Sequence, residues 1–363
     1  MAQFSLSDSK YDLSKLRSEE IFWRDHQTWF QDCGYMLRPR YMPDWKPSWL
    51  DNTRSIEHED AQPLLRGDII NDATRLSDGA YVTLKILKPS VHPYEVDIAT
   101  FLSSKQLASD PLNHCVPIYE VLRVPGDDDK VIIVMPLLRG WDEPEFETVG
   151  EAVDFFRQLF EGLQFMHKHH VAHRDISILN VMMDGSMYPD SWHPCDRDQM
   201  RDNFLVPAKR FSRTERPPKY YLIDFGLSRR YDPEDKAPLE VPIRGGDKTV
   251  PEFQKDIHKP RNPFLTDIYY AGNLIRLGVM KEYKGFDFMQ PLISDMVQDD
   301  PAKRPTIDQV VKHFAEMRKN LGALKLRARV GPRDESLGAV RDFRHLFATI
   351  KYTLKGIPPV PIR

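Results

Sequence analysis

The chain has 363 residues, 41% of them hydrophobic, and a formal net charge of −3 at pH 7. This length allows one large domain or two modest ones with a real core, and the near-neutral charge gives no electrostatic case for a nucleic-acid partner. The chain lacks an apolar run of about 18 or more residues, and its start lacks the basic-then-apolar order of a secretory signal, so we expect neither a membrane partner nor secretion.

The three cysteines, Cys33, Cys115 and Cys195, are far apart in the sequence. An odd number with wide spacing indicates neither a disulfide framework nor a zinc site, and free thiols are typical of a reducing compartment. We therefore expect an intracellular protein, with the cytoplasm as the first expectation and the nucleus as the alternative. The sequence leaves the oligomeric state open.

Residues 1–63 form a tryptophan-rich N-terminal extension with a helical pattern from about Ser14 to Cys33. Large aromatic side chains need burial, so we expect the extension to dock on the domain that follows, and a groove for a partner peptide is the alternative. The extension holds four of the six tryptophans, which are Trp23, Trp29, Trp45 and Trp49.

Short strand-like segments follow, between about residues 64 and 134. Asp78-Gly79 has the composition of a two-residue hairpin turn and leads into a strand that carries Lys85 between apolar residues. A lysine in such a strand is usually solvated, so the local pattern alone favours a surface position for Lys85.

The next apolar segment, Val131–Leu138, has the continuous composition of a buried strand, with Met135 near its end. Apolar residues then recur at helical spacing between Glu151 and His170, which predicts an amphipathic helix. We expect this helix to hold the polar loop that begins at His173 on a rigid support.

The most informative feature is an ordered set of polar motifs. His173–Asp175 is followed by Asn180, five residues after Asp175, and Asp224–Gly226 lies further along the chain. Carboxylate and amide oxygens are hard ligands suited to magnesium, and a loop aspartate can accept a hydroxyl proton. The set resembles the signature of the eukaryotic protein kinase family.

Later motifs extend the resemblance in the family's order. Val250–Glu252 resembles the Ala-Pro-Glu that ends the activation segment, and Asp300–Pro305 resembles the motif whose arginine pairs with that glutamate. We therefore expect a buried Glu252–Arg304 ion pair that fixes the segment.

The resemblance covers about residues 64–318, and residues 219–231 and 245–253 resemble a group of uncharacterised fungal protein-kinase-domain proteins. It implies an α+β, two-lobe, protein-kinase-like fold with a small, mainly β lobe and a large, mainly α lobe. The expected stretches are the N-terminal extension at 1–63, the small lobe at about 64–138, the large lobe at about 139–320 with an insertion at about 186–219, and a C-terminal extension at 321–363.

The resemblance also implies an activity and its residues. The chain would be a protein kinase that transfers the γ-phosphoryl group of Mg-ATP to a hydroxyl of a protein substrate. Asp175 would accept the hydroxyl proton, with Arg174 and His173 as the other members of its motif. Asn180 and Asp224 would hold the magnesium ion.

Nucleotide contacts follow from the same resemblance. Val82–Lys85 matches the family's Val-Ala-Ile-Lys, so Lys85 would hold the α- and β-phosphates and pair with a glutamate of the next helix. Glu95 is the expected glutamate and Asp97 is its rival. The expected adenine contacts are Met135, Leu138 and Met182.

Two departures from the family pattern favour other interpretations. In place of a glycine-rich loop the chain has Gly67–Arg75, with one glycine and with Asp72, whose charge would repel ATP. Ser177 stands where serine/threonine kinases usually have a lysine that contacts the γ-phosphate, so the choice between serine/threonine and tyrosine stays open. A pseudokinase that binds nucleotide or protein as a scaffold is the second interpretation, and a small-molecule phosphotransferase is the third.

Control and substrate contacts are the last expectations. Between Asp224 and Glu252 the only hydroxyl residues are Ser228, Tyr231 and Thr249. We predict that an acid of this segment replaces a phosphate opposite Arg174, so that activity does not require phosphorylation there; the candidates are Glu234, Asp235, Glu240 and Asp247. The insertion carries basic residues that would be solvated or, alternatively, contact an acidic substrate, namely Arg197, Arg201, Lys209, Arg210, Arg213 and Arg216.

Overall fold

The structure is a computed structural model that describes residues 12–50, 55–62, 69–195, 198–200, 203–243, 245–335 and 338–361. Gly67, Arg197 and Arg201, which the sequence analysis singles out, lie outside these residues. The chain forms two compact units. The first comprises residues 1–87, 119–137 and 190–209, and the second comprises residues 88–118, 138–189 and 210–363.

The first unit is built on five strands: β1 Tyr35–Met36, β2 Ile70–Arg75, β3 Tyr81–Leu87, β4 Glu120–Arg123 and β5 Val131–Pro136. They form one antiparallel sheet with the order β1-β2-β3-β5-β4. The connection between β2 and β3 comprises residues 76–80 and is longer than the two-residue turn expected at Asp78-Gly79. Within it the Gly79 amide donates to the Arg75 carbonyl at 2.8 Å. Gly79 has a φ of 69°, a conformation that glycine adopts without strain.

The N-terminal aromatic residues belong to the core of this sheet. Two short helices, α1 Ile21–Asp25 and α2 Gln27–Asp32, bury Trp23 and Phe30 in one cluster with sheet residues such as Val82. The expectation that the extension docks on the following strands is therefore confirmed for these residues. The first unit also contains 3-10 turns at Ser18–Glu20, Pro39–Tyr41, Ser55–Glu57 and Glu59–Ala61, and a hairpin of two further strands that are numbered by their place in the chain.

The second unit is mainly helical. Its helices are α3 Glu95–Leu102, α4 Lys105–Ala108, α5 Val149–Lys168, α6 Pro251–Lys255, α7 Pro263–Ile275, α8 Gln290–Met296, α9 Ile307–Lys319, α10 Ala323–Arg327 and α11 Gly338–Leu354. Its strands are β6 Arg139–Gly140, β7 Val171–Ala172, β8 Val181–Met183, β11 Tyr220–Leu222 and β12 Arg229–Arg230, and the hairpin of the first unit is β9 Gln199–Met200 with β10 Asn203–Pro207. A π-helical turn at Arg276–Met280 follows α7, and 3-10 turns lie at Asp287–Met289 and Pro301–Lys303.

The long helix α5 has the apolar face that its sequence predicts, and it begins and ends two residues before the expected Glu151 and His170. Thr148 caps it, because its hydroxyl accepts the Glu151 amide at 3.1 Å and the Glu151 side chain returns to the Thr148 amide. The predicted apolar stripe of α5, which includes Phe156 and Phe160, is buried. With a mainly β first unit and a mainly α second unit, the protein has the expected α+β, two-lobe, protein-kinase-like fold.

The boundary between the two units differs from the expected boundary between the lobes. The helices α3 and α4, from the stretch expected to complete the small lobe, belong to the second unit. No helix among the described residues has both the length and the apolar character needed to cross a membrane.

Candidate active site

The loop from His173 to Asn180 lies in the second unit, between β7 and β8. Asp267 of α7 holds its start: the buried carboxylate accepts the backbone amides of His173 at 2.8 Å and of Arg174 at 2.7 Å. Arg174 has a φ of 67°, which a side chain as large as arginine adopts only when its surroundings require it. The sequence did not reveal this role of Asp267, although an acid among apolar helical residues was an available signal.

Asp175 is held through both of its carboxylate oxygens. Oδ1 accepts the backbone amide of Gly246 at 2.6 Å, and Oδ2 accepts Nδ2 of Asn180 at 2.9 Å. Burial raises the pKa of the Asp175 carboxyl above its ordinary value, and the negative charge of Asp224 acts in the same direction, whereas the Gly246 amide opposes both. Asp175 is therefore an oriented carboxylate with an increased affinity for a proton.

The Gly245-Gly246 pair covers this carboxylate. A Cβ atom added to Gly245 would overlap Oδ1 of Asp175, and one added to Gly246 would lie 3.2 Å from the hydroxyl oxygen of Ser177. The close approach thus depends on glycine at position 245. In this arrangement the Gly246 amide is hydrogen-bonded to Oδ1 of Asp175, the oxygen to which a substrate hydroxyl would otherwise donate. The sequence did not predict this contact.

Asp224 and Glu95 lie beside the same glycine. Asp224 has a φ of 65°, and its Oδ1 accepts the Gly226 amide at 3.3 Å. A Cβ atom added to Gly226 would lie 3.0 Å from Oε2 of Glu95, which is buried at the start of α3, and 3.3 Å from Oδ1 of Asp224. Asp97, the rival acid, is exposed. Of the two acids, Glu95 is the one next to the Asp224–Gly226 motif, and its pairing with Lys85 stays a prediction.

The donor atoms of the predicted metal ligands fit magnesium. Asp224 offers carboxylate oxygens and Asn180 an amide oxygen, and Mg²⁺ commonly uses one or two such protein ligands together with water and substrate phosphates. Within the part of the chain that the structure describes, no cluster of three or more His, Cys, Asp or Glu side chains has the arrangement of a metal site. The role of Asn180 and Asp224 as magnesium ligands stays a prediction.

The other predicted nucleotide contacts are divided between the units. Lys85 of β3 and Met135 of β5 belong to the first unit, and Leu138 and Met182 belong to the second. Lys85 is only 7% exposed, so the solvated position that its local pattern favours is wrong. Leu138 is buried, and both methionines are half-buried. Their common role in binding adenine stays a prediction.

Asp72, the acid in place of the glycine-rich loop, forms an ion pair within the first unit. The Nε atom of Arg38 lies 3.0 Å from Oδ1 of Asp72, and the two side chains are 6% and 14% exposed. From the sequence alone, Asp72 is expected to be a free negative charge that repels ATP. The guanidinium of Arg38 cancels that charge locally, and sequence reasoning had no signal for this partner.

Arg174 meets one of the predicted acids of the activation segment. Its Nη2 lies 3.6 Å from Oε2 of Glu240 and donates to the Val241 carbonyl at 3.0 Å. The other candidates do not form this contact: Glu234 and Asp235 are exposed, and Asp247 accepts the side-chain amide of Asn273 at 2.5 Å. Glu240 is therefore the acid that faces Arg174.

Ser228 is not available as a phosphorylation site in this arrangement. Its side chain is buried, and its hydroxyl donates to the His173 carbonyl at 3.0 Å. The residue therefore connects the segment after Asp224 to the loop that begins at His173, a role that its sequence position did not reveal.

The activation segment ends in the predicted ion pair. Nη1 and Nη2 of Arg304 donate to Oε1 and Oε2 of Glu252 at 2.8 and 2.6 Å, and both side chains are buried. This bidentate geometry is the strong form of an arginine–carboxylate contact. The expectation of a buried Glu252–Arg304 pair is confirmed.

One basic residue of the insertion, Arg213, is buried in the second unit. It donates to the Trp141 carbonyl at 2.9 Å, to the Pro144 carbonyl and to the Tyr220 hydroxyl at 2.5 Å. For Arg213 both the solvated interpretation and the contact with an acidic substrate are wrong. Lys209 and Arg210 are exposed, as solvated residues are.

No protein-family model matches the chain. Among curated proteins it is similar to the mouse NUAK family SNF1-like kinase 1 (26% identical over 132 residues, 32% of this chain and 18% of the relative) and to the serine/threonine-protein kinase PLK4 of Drosophila persimilis (24% over 169 residues, 46% and 20%). It is also similar to the probable serine/threonine-protein kinase pXi of Dictyostelium discoideum (22% over 265 residues, 67% and 33%). The matches thus span between 18% and 33% of these relatives.

Among solved structures, the chain is similar to the Rad53 kinase domain with SCD2 in complex with AMPPNP. The TM-score is 0.41 and the sequence identity is 13%, with 67% of this chain and 85% of the other covered.

Proposed function

The chain is related to the eukaryotic protein kinases, and on that premise we propose that it is a protein kinase, which transfers the γ-phosphoryl group of ATP to a hydroxyl of a protein. The observation that carries the proposal is the Asp175 carboxylate, which Asn180 orients at 2.9 Å and whose pKa is raised by burial. Serine and threonine hydroxyls are the proposed acceptors, because the curated relatives include proteins named as serine/threonine kinases.

In this proposal the substrate hydroxyl oxygen attacks the γ-phosphorus, the bond from that phosphorus to the departing ADP oxygen breaks, and the hydroxyl proton passes to Asp175. Asn180 keeps the Asp175 carboxylate in one orientation, and Asp267 holds the loop through two backbone amides. Phosphoryl transfer needs positioning more than covalent chemistry from the protein, which these rigid contacts supply.

The nucleotide would be bound by residues named from the family pattern. Asn180 and Asp224 would hold magnesium, which when bound neutralises phosphate charge. Lys85 would hold the α- and β-phosphates with support from Glu95, and the half-buried Met135 would contact adenine. Lys85 is buried, and a buried ammonium group requires an anionic or polar partner, which supports this role.

A pseudokinase scaffold is the second candidate, and one observation favours it. The Gly246 amide already donates a hydrogen bond to Oδ1 of Asp175. In addition, Ser177, two positions after Asp175, replaces the lysine usual in serine/threonine kinases. A chain fixed in this arrangement would bind partners or nucleotide without transferring phosphate.

Transfer of radiolabelled phosphate from ATP to mixed protein substrates tests the proposal. We expect Asp175→Asn to reduce the rate by about 10²–10⁴-fold, the range that a general base contributes. Asp235→Asn is the matched control, since Asp235 is an exposed acid of the activation segment, and it should keep the wild-type rate. Equal rates in the wild type and Asp175→Asn would contradict the assigned base.

Thermal unfolding separates the two candidates. At a Mg-ATP concentration about a hundredfold above its dissociation constant, binding adds roughly 2.7 kcal/mol to the free energy of unfolding. A stabilised protein with measurable transfer supports the kinase. Stabilisation without transfer to any substrate supports the scaffold, and the absence of both contradicts nucleotide binding.

A further inference from the structure

The helix α11 carries a broad apolar surface that faces solvent. Six of its large apolar side chains are between 48% and 83% exposed. Their spacings of three, four and seven residues place them on one face of a helix. These residues, which we call the α11 apolar face, are Val340, Phe343, Leu346, Phe347, Ile350 and Leu354.

The opposite side of α11 is fixed to the second unit. The Tyr352 hydroxyl donates to Oγ of Ser212 at 2.8 Å, and Nε2 of His345 lies 2.8 Å from the Arg327 carbonyl oxygen. Tyr352 is buried. Since these polar contacts determine which side of α11 packs inward, the apolar face points outward in the folded protein.

The ends of α11 are attached by charged side chains. Near its start Nε of Arg329 donates to Oδ1 of Asp342 at 2.6 Å, and near its end Nζ of Lys351 donates to Oε1 of Glu215 at 2.7 Å. The helix is thus held at both ends, and the exposure of its apolar face does not come from a detached segment.

The charge around the apolar face is positive. Residues 338–355 contain four cations and one acid, a net charge of +3 in a chain whose total is −3. The acid, Asp342, already pairs with Arg329. Two of the four cations already have acidic partners, because Arg341 lies 3.1 Å from Glu335 and Lys351 lies 2.7 Å from Glu215. Among the residues that the structure describes, Arg344 and Lys355 are the cations of this helix left for an external anion.

We propose that α11 docks on an anionic lipid membrane, lying in the plane of the interface with its apolar face among the acyl chains. A helix with phenylalanine and leucine on one face and basic residues beside them is typical of interfacial helices. The aliphatic stems of Arg344 and Lys355 would extend along the apolar region to the lipid headgroups. This proposal does not depend on the proposed kinase activity.

A second copy of the chain fits this surface less well. Pairing of two α11 helices would cover their apolar faces but would also bring Arg344 and Lys355 of both copies together, with no added negative charge to compensate them. An anionic bilayer covers the apolar face and neutralises the cations at the same time.

Co-sedimentation of the full chain with vesicles tests the proposal. We expect at least tenfold tighter binding to phosphatidylcholine vesicles that contain phosphatidylserine than to phosphatidylcholine alone, and weaker binding at high salt. The double variant Phe343→Glu/Phe347→Glu should lose at least tenfold in affinity. Leu324→Glu is the matched control, because Leu324 is 91% exposed outside α11, and it should bind like the wild type.

A spectroscopic readout keeps the test independent of whether the double variant folds. In Phe347→Trp, the emission attributable to the new tryptophan, taken as the difference from wild type, should shift to shorter wavelength when phosphatidylserine vesicles are added and not with neutral ones. Absence of that shift, or equal binding to both vesicles, would overturn the proposal. So would a wild-type dimer in sedimentation that dissociates in the double variant without any vesicle binding, since a second copy would then cover the face.

Discussion

The loop from His173 to Asn180 and the β2–β3 strand pair each carry a half-buried aspartate, but the partners of the two carboxylates differ. Around Asp175 the partners are neutral: the amide of Asn180 and the backbone of Gly246. On β2 the partner of Asp72 is the guanidinium of Arg38 at 3.0 Å. A carboxylate that is oriented by neutral donors keeps its negative charge and its ability to take a proton. A carboxylate whose charge is cancelled in an ion pair serves mainly to hold segments together.

The Glu252–Arg304 ion pair is the more deeply buried of the two pairs, with side chains 3% and 0% exposed. Breaking it should therefore have the largest effect on the free energy of unfolding. We expect Arg304→Met to lower the free energy of unfolding by about 3–5 kcal/mol, because it leaves the Glu252 carboxylate buried without a partner. Arg341→Met removes an exposed guanidinium 3.1 Å from Glu335, which keeps its second partner Arg329, and should cost less than about 1 kcal/mol. Urea unfolding measures both, and equal costs would contradict the role assigned to burial.

The Arg38–Asp72 pair allows a second test of charge cancellation, here at an aspartate of β2. Arg38→Met should lower the free energy of unfolding by about 1–3 kcal/mol, since it leaves a mostly buried acid unpaired. It should also weaken ATP binding, because the negative charge of Asp72 is no longer cancelled. The double variant Arg38→Met/Asp72→Asn should recover both properties. If the double variant is no better than Arg38→Met alone, the pair does not act by cancelling charge.

Gly246→Pro removes the backbone N–H that donates to Oδ1 of Asp175. It therefore tests what one neutral partner does to this carboxylate. That hydrogen bond lowers the pKa of Asp175, so its loss should raise the pKa further and move the acid limb of the pH–rate profile to higher pH. The proposed base acts when ionised, so activity is present above this pKa and is lost as pH falls through it.

Well above this pKa, freeing Oδ1 should raise the rate severalfold, because the substrate hydroxyl no longer competes with the amide. Gly246→Ala, which keeps the amide, is the control and should show neither change. A proline variant with a lower rate and an unmoved acid limb, but an unchanged melting temperature, would mean that the Gly246 contact supports activity instead of covering Asp175.

The smallest effect is expected at the hydroxyl residues of the activation segment. Because Glu240 already faces Arg174 at 3.6 Å, phosphatase treatment or Tyr231→Phe should leave phosphoryl transfer within about tenfold, or roughly 1.4 kcal/mol. Glu240→Gln should lower the rate more than Tyr231→Phe does. Loss of activity on phosphatase treatment, reversed by an upstream kinase, would show that a phosphate rather than Glu240 acts on Arg174.

The sequence by itself determined the features that depend on local spacing. The apolar face of α5 follows from its helical apolar pattern, and the order of His173–Asp175, Asn180 and Asp224–Gly226 indicated the kinase family. It also identified Glu252 and Arg304 as partners, although they are 52 positions apart, because the family resemblance carries that pairing. Neighbouring residues share one element, so their relative positions follow from its geometry.

Only the tertiary structure decided which distant groups meet. The amide of Gly246 reaches Asp175 across 71 positions, Asp267 reaches Arg174 across 93, and Arg38 reaches Asp72 from an N-terminal segment. The chain offers 54 acids and 51 lysines and arginines as possible partners, and their spacing along the sequence does not rank them. Packing of the apolar cores selects among them, because it determines which backbone segments approach closely enough for a hydrogen bond.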